Sequence, residues 1–342
     1  NLAEGWTKRD QSTPWTVDTL VPFYSATKGL AASCVLHALD AVNRDLDTEV
    51  GMFWPTFGDP SLTVGELLSH QAGLAALDEK VSINDYSAVV RALEQQEPFW
   101  ESPEHGYHPR TFGFLLDEVV RRLTTARSLG EYWRSEIAAP NELELWIGLP
   151  ESEFFRVATL YPGKMTTSEA ETEFYKAFNN SKSLTRHAFA SPKGLHSVAE
   201  MNNSEAWRLG LPAMGGIGTA AGLATFYGLV ASGALFSERV RGWMEHPLVN
   251  GADKILFMPT SFSAGMMKDP LDESGNKRRQ TFGPSTRAFG HPGAGGSHAF
   301  ADPSTGLGFA YTMNQMELGV LPNEKSLSLV AGLYADLNTL ES

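Results

Sequence analysis

The chain has 342 residues, 40 of them acidic against 27 Lys and Arg, with a formal charge of −13 and 42% hydrophobic side chains. That is ample for a large buried core. With no Lys/Arg cluster to make a basic footprint, it argues against a nucleic-acid partner and against anionic membrane surfaces. A single cysteine, Cys34, excludes an intramolecular disulfide and a cysteine-rich zinc site. No apolar run reaches the ~20 residues of a membrane span. The opening stretch, NLAEGWTKRD, has no initiator Met and enters in what reads as mid-structure. A leader, or a first helix and strand, is therefore expected to be absent. The compartment stays open, with a soluble, cytoplasmic setting favoured.

Residues 15–24, WTVDTLVPFY, read as an extended segment. They lead into an amphipathic helix whose apolar positions Leu30, Ala31, Cys34, Val35, Ala38 and Leu39 follow helical spacing, with Cys34 as core packing. In LTVGELLSHQAGL (62–74), Thr63 and Glu66 make a capping box and Gly73 is the expected stop. The segment 107–123, YHPRTFGFLLDEVVRRL, is a loop followed by a helix with Phe112, Leu115, Leu116, Val119 and Leu123 inward. Residues 151–205 are polar and irregular and read as a long connection or cap, where substrate selection would lie. GGIGTAAGLATFYGLVASG (215–233) opens another helix. The stretch 287–316 reads as two antiparallel strands joined by the hairpin DPSTG, and 326–340 as a closing helix. Strands at both ends with helices between them predict an α+β chain, a non-local antiparallel sheet with an inserted helical lobe.

Ser25-x-x-Lys28 falls where the extended segment gives way to the first helix. There the Ser25 N–H would lie among the unpaired donors of a helix N-terminus, suited to a tetrahedral oxyanion. Lys28, on the same face, would have its pKa lowered by desolvation and become a usable base. The other reading is a serine cap beside a snorkelling lysine. A second match, Ser274 to Lys277 in DESGNKRRQ, is polar, turn-rich and expected to be solvated. Tyr107 is a phenol that a nearby ammonium such as Lys28 could make basic, or else a core or loop aromatic. In GHPGAGG (290–296), glycines beside His291 would let backbone approach a ligand, and the Ala294 N–H could be a second oxyanion donor. The other reading is a bulged edge strand with a structural histidine. Gly216, Gly218 and Ala221 fit a dinucleotide fingerprint without the βαβ context it needs. His105 and His108 precede Pro109 and match no metal-binding spacing. Neither cofactor nor metal is expected.

In order along the chain, Ser25-x-x-Lys28, LLSHQAGL (67–74), YHPRTFGFLLDEVVRR (107–122) and FGHPGAGGSHAFADPSTGLGFAYTMNQM (289–316) resemble the serine β-lactamase-related family. The likeness is to class C β-lactamases, family VIII carboxylesterases and related transacylases. It implies a β-lactamase/transpeptidase-like fold, an antiparallel sheet flanked by helices beside a helical lobe. The expected division is residues 1–50 and 206–342 for the sheet lobe and 51–205 for the helical lobe and cap. It also implies Ser25 as nucleophile, Lys28 as the activating lysine and Tyr107 as the tyrosine of the Y-x-N motif. His291-Pro292-Gly293 would stand in place of K-T-G, His291 and Gly293 would bind substrate, and the Ser25 and Ala294 N–H groups would form the oxyanion hole. Two departures matter: Pro109 replaces the asparagine that holds a lactam side chain, and His291 replaces the lysine that holds a lactam carboxylate. The expectation is a serine hydrolase acting on a small ester or acyl substrate through acyl-Ser25. An acyltransferase or amidase of the same fold, or a non-catalytic binding or scaffold member, is the alternative. The oligomeric state is left open.

Overall fold

Two antiparallel sheets organise the computed structural model, which describes residues 1–163 and 169–340. The smaller sheet joins β1 (Val21–Pro22), β2 (Leu145–Ile147) and β3 (Gly216–Gly218) in the order β1–β3–β2. The larger contains β4 (Val249–Ala252), β5 (Pro259–Phe262), β6 (Met267–Lys268), β7 (Phe289–Gly293), β8 (Ser297–Asp302) and β9 (Leu307–Tyr311), each beside its neighbour in sequence. The expected non-local sheet is therefore corrected in one respect. The large sheet is a local meander, and of the two sheets it is the small one that pairs distant segments, with Val21 and Leu145 flanking Gly218. The expected pair of C-terminal strands is likewise three, because Gly295 and Gly296, at φ +91° and +115°, make a second tight turn before β8.

Helix α1 (Thr27–Ala41) packs against β7 and against α4 (Thr111–Leu123), while α2 (Val64–Leu68) and α3 (Tyr86–Gln95) lie between them in sequence. The sequence predicts an amphipathic α1, yet twelve of its fifteen residues are buried, Lys28 and Ser33 included. Ser33 manages this by returning its hydroxyl to the Gly29 carbonyl at 2.7 Å. The capping box of α2 forms, with Thr63 and Glu66 satisfying each other's N–H groups. The stop comes earlier than Gly73, at Ser69 and the left-handed His70 (φ +65°). Helix Ala220–Ala231 lies across β8 and β9, and a Cβ on Gly308 would collide with the Gly228 N and Ala224 O backbone atoms. The second Ser-x-x-Lys is less solvated than expected. Ser274 is exposed, but the Lys277 side chain is only 5% exposed and pairs with the buried Asp269 at 2.9 Å.

Candidate active site

The chain turns sharply after β1. Tyr24 takes φ +46°, a left-handed conformation that costs an aromatic residue about 1–3 kcal/mol and persists only where its surroundings hold it. Thr27 holds it: its hydroxyl donates to the Tyr24 carbonyl and accepts from the Gly216 N–H at 2.8 Å. Ser25 follows in the turn, half-buried and two residues ahead of α1. Ala26 occupies the cap position and makes no side-chain cap bond, so the Ser25 hydroxyl is not a helix cap.

Lys28 in the first turn of α1 is 0% exposed. Its Nζ lies 3.3 Å from Ser25 Oγ and donates to the Pro109 carbonyl at 2.9 Å and the Ala213 carbonyl at 2.8 Å. Burial, with a smaller push from the Arg110 guanidinium, drives its pKa well below the ordinary lysine value. An uncharged amine has two N–H bonds and one lone pair. Two carbonyls take the N–H bonds, which leaves the lone pair for the Ser25 hydroxyl.

Tyr107 stands on the other side of the pair. Its ring centroid is 4.8 Å from Lys28 Nζ, and its phenol hydrogen-bonds the Ser25 side chain. The Tyr107 N–H donates to both carboxylate oxygens of Asp253 at 3.1 Å. Asp253 also accepts from the Ile255 and Leu256 N–H groups at 2.8 Å and the Thr260 hydroxyl at 3.1 Å. It thereby ties the Tyr107 loop to the β4–β5 connection. His70 and His291 back the ring at centroid distances of 5.1 and 5.8 Å. The expectation that Lys28 would make this phenol basic is corrected. Burial, with a smaller push from the Asp253 carboxylate, raises the Tyr107 pKa above the ordinary phenol value, and the Ser25 hydrogen bond offsets only part of it.

At the end of β7, a Cβ on Gly293 would collide with the Phe23 carbonyl oxygen, so glycine lets the strand lie against the Phe23–Ser25 turn. Ala294, half-buried, joins Tyr24, Ser25, Pro109 and Met214 in lining a cavity of about 360 Å³. His291 and Gly293 are not among its lining residues. Strand geometry turns the imidazole toward Tyr107, where Nδ1 donates to the Pro292 carbonyl at 2.7 Å. Burial pushes the His291 pKa down to about 3, so the ring is neutral. The opposite wall comes from helices Thr172–Asn179 and Leu184–Ala190 and the turn after them, which supply Phe178, Arg186, Phe189 and Leu195. His105 and His108 stand outside the cavity. His108 spends both ring nitrogens, on the Gly106 carbonyl at 2.7 Å and the Leu74 N–H at 2.9 Å.

Sequence reasoning missed Asp253, Arg110 and Arg186. An Asp starting a turn before apolar residues signals an Asx turn, but nothing local says that its carboxylate also holds Tyr107. Arg110 follows Tyr107-His108-Pro109 directly, and its interest lies in what it lacks in space.

The β-lactamase family model matches residues 1–329. The esterase/β-lactamase LipL of Mycobacterium tuberculosis is 28% identical over 331 residues, which span 92% of this chain and 73% of that protein. A penicillin-binding protein homolog from Caulobacter crescentus superposes with a TM-score of 0.82 at 32% identity, over 97% of this chain and 87% of that one. A family VIII carboxylesterase does so with a TM-score of 0.83 at 30% identity and the same two coverages. Among the described residues no helix is long and apolar enough to cross a membrane. With its β-lactamase/transpeptidase-like fold, this chain belongs to the β-lactamase family and is a serine hydrolase.

Proposed function

We propose that the chain is a carboxylesterase that works through a covalent acyl-Ser25 intermediate. The observation that carries this is the buried Lys28 side chain, held by two carbonyls with its Nζ 3.3 Å from Ser25 Oγ, so that its uncharged form would turn a lone pair to that hydroxyl. Lys28 takes the Ser25 proton as Oγ bonds to the ester carbonyl carbon, and the carbonyl electron pair moves onto oxygen. That oxyanion forms against the Ser25 and Ala294 N–H groups. When the carbonyl reforms, the bond to the alcohol oxygen breaks; Tyr107 gives its proton to the leaving alkoxide and regains one from the Lys28 ammonium. Water then retraces the path. It loses a proton through Tyr107 to Lys28, attacks the acyl carbon and releases Ser25, which recovers the proton.

His291 serves this scheme from behind, packing Tyr107 rather than touching substrate. Its neutrality and the absence of a side-chain amide at Pro109 disfavour a β-lactam as substrate. The test is intact-protein mass after brief exposure to p-nitrophenyl butyrate, with Ser25→Ala alongside. An acyl-sized increase confined to the unmutated protein is the expected result. Folded protein that neither gains mass nor releases nitrophenol would overturn the proposal.

A further inference from the structure

The cavity beside Ser25 is lined by two arginines, and no carboxylate is among its described lining residues, although the whole chain is strongly acidic. Arg110 forms part of the wall and is only 6% exposed. Its Nη1 donates to the Leu195 carbonyl at 3.2 Å and its Nη2 to the Gly194 carbonyl. Its Nε is buried without a hydrogen-bond partner, and no carboxylate is in ion-pair contact with it among the described residues. The Glu200 carboxylate attracts Arg110 from farther off, and its Oε2 is spent on the His196 and Ser197 N–H groups and the Ser197 hydroxyl. A guanidinium offers five donors in a planar fork, and two carbonyls do not neutralise a buried charge. Arg186 stands exposed at the rim with its guanidinium 5.1 Å above the Phe178 ring. Phe178, Phe189, Leu195 and Met214 supply the apolar part of the lining, and the exposed His196, whose Nε2 accepts from the Gly194 N–H at 2.9 Å, also reaches it. The β7 side supplies no charge, since His291 is neutral and turned to Tyr107.

We infer that the substrate is an ester carrying a carboxylate, which Arg110 and Arg186 bind while its hydrocarbon part lies against Phe178, Phe189 and Met214. The inference rests on the esterase proposal and deepens it. Two kinds of molecule share this chemistry: half-esters of dicarboxylic acids, with the carboxylate on the acyl side, and acyl esters of hydroxy acids, with it on the alcohol side. Charge-assisted, bidentate contacts to a carboxylate are what an arginine fork provides best.

The experiment compares ester pairs that differ only in charge. Mono-4-nitrophenyl glutarate against its methyl-capped diester probes the acyl side, and 4-acetoxybenzoate against its methyl ester probes the alcohol side. In one pair the anionic member should have a kcat/KM about tenfold or more above the neutral one, and the preference should shrink with added salt. The ratio should fall in Arg110→Gln, Arg186→Gln or both. Because each ratio is read on one protein preparation, partial misfolding cancels. Equal or better turnover of the neutral member in both pairs overturns the inference and leaves the esterase proposal standing. A preference that neither variant alters does the same. No turnover and no Ser25 adduct with any of the four esters overturns both.

Discussion

Lys28 Nζ sits 3.3 Å from Ser25 Oγ, while its other two hydrogen bonds reach the carbonyls of Pro109 and Ala213, 81 and 185 residues away in sequence. The amine is thus aimed at the serine by backbone that the rest of the fold must bring to it. Lys28→Arg keeps the donors and makes the charge permanent, so it cannot accept the Ser25 proton. We expect kcat/KM to fall by about 10²–10⁴-fold. In the unmutated enzyme kcat/KM should rise with pH through the depressed Lys28 pKa, since only the free amine is a base. Activity of Lys28→Arg within a few-fold of the parent would remove Lys28 from the role of base.

Tyr107→Phe deletes only the phenol oxygen and keeps the ring against His70 and Phe262. Steady-state turnover should drop by about 10²–10³-fold while the urea midpoint moves little. Near-normal kcat would mean that another group protonates the alcohol.

Asp253→Ala should act first on stability. It leaves three buried N–H groups and one hydroxyl without their acceptor. At roughly 1–3 kcal/mol for each buried group left unsatisfied, a loss of about 3 kcal/mol or more is expected in urea unfolding. Asp253→Asn keeps one carbonyl oxygen and should fall between the two. An unchanged midpoint for the alanine variant would show that the loop finds other acceptors.

Gly293→Ala forces β7 away from the Phe23 carbonyl, and Ala294 moves with it. Misplacing one oxyanion donor costs about 10²–10³-fold in kcat, so turnover should fall by that order with KM little changed. Parent-like kcat in this variant would argue against Ala294 as a donor.

Acid should weaken the fold through its imidazoles. His108, His291 and His298 are fully buried, and desolvation pushes each from the usual 6.5 to about 3. The unfolded chain therefore binds more protons than the native one between those values. Their stabilisation is complete above about pH 6.5 and is lost as pH falls through that window toward 3. At about pH 5.5 the three together should cost roughly 4 kcal/mol relative to neutral pH, readable as a lower urea midpoint. His298→Leu, among Phe282, Phe300 and Phe309, should recover about a third of that loss. A midpoint equal at the two pH values would mean that these rings are not held neutral.

What could be read in advance was local. The Ser25-x-x-Lys28 spacing, the Thr63/Glu66 box and the DPSTG hairpin each act over a few residues, so their signals survive in one dimension. The strands VNGA, PTSF and MK do not read as strands because they are short and low in β-branched residues. Helix α1 misleads differently: its polar residues look like a solvated face, but Lys28 is satisfied by a carbonyl far along the chain and Ser33 by the Gly29 carbonyl one turn back. Arg110 leaves no trace in the sequence, since a missing counter-charge is a property of three-dimensional surroundings.

The Lys28 anchorage also makes the chemistry a reporter of folding. In the unfolded chain Lys28 is a solvated ammonium, and Ser25 is one ordinary hydroxyl among many. Only closure of the contacts to Pro109 and Ala213 strips the lysine of water and delivers it to the serine. Reactivity toward an acylating probe should therefore appear with the last long-range contacts rather than with the first helices. Timed labelling of Ser25 during refolding would count native molecules directly, with no change in the protein needed to make them visible.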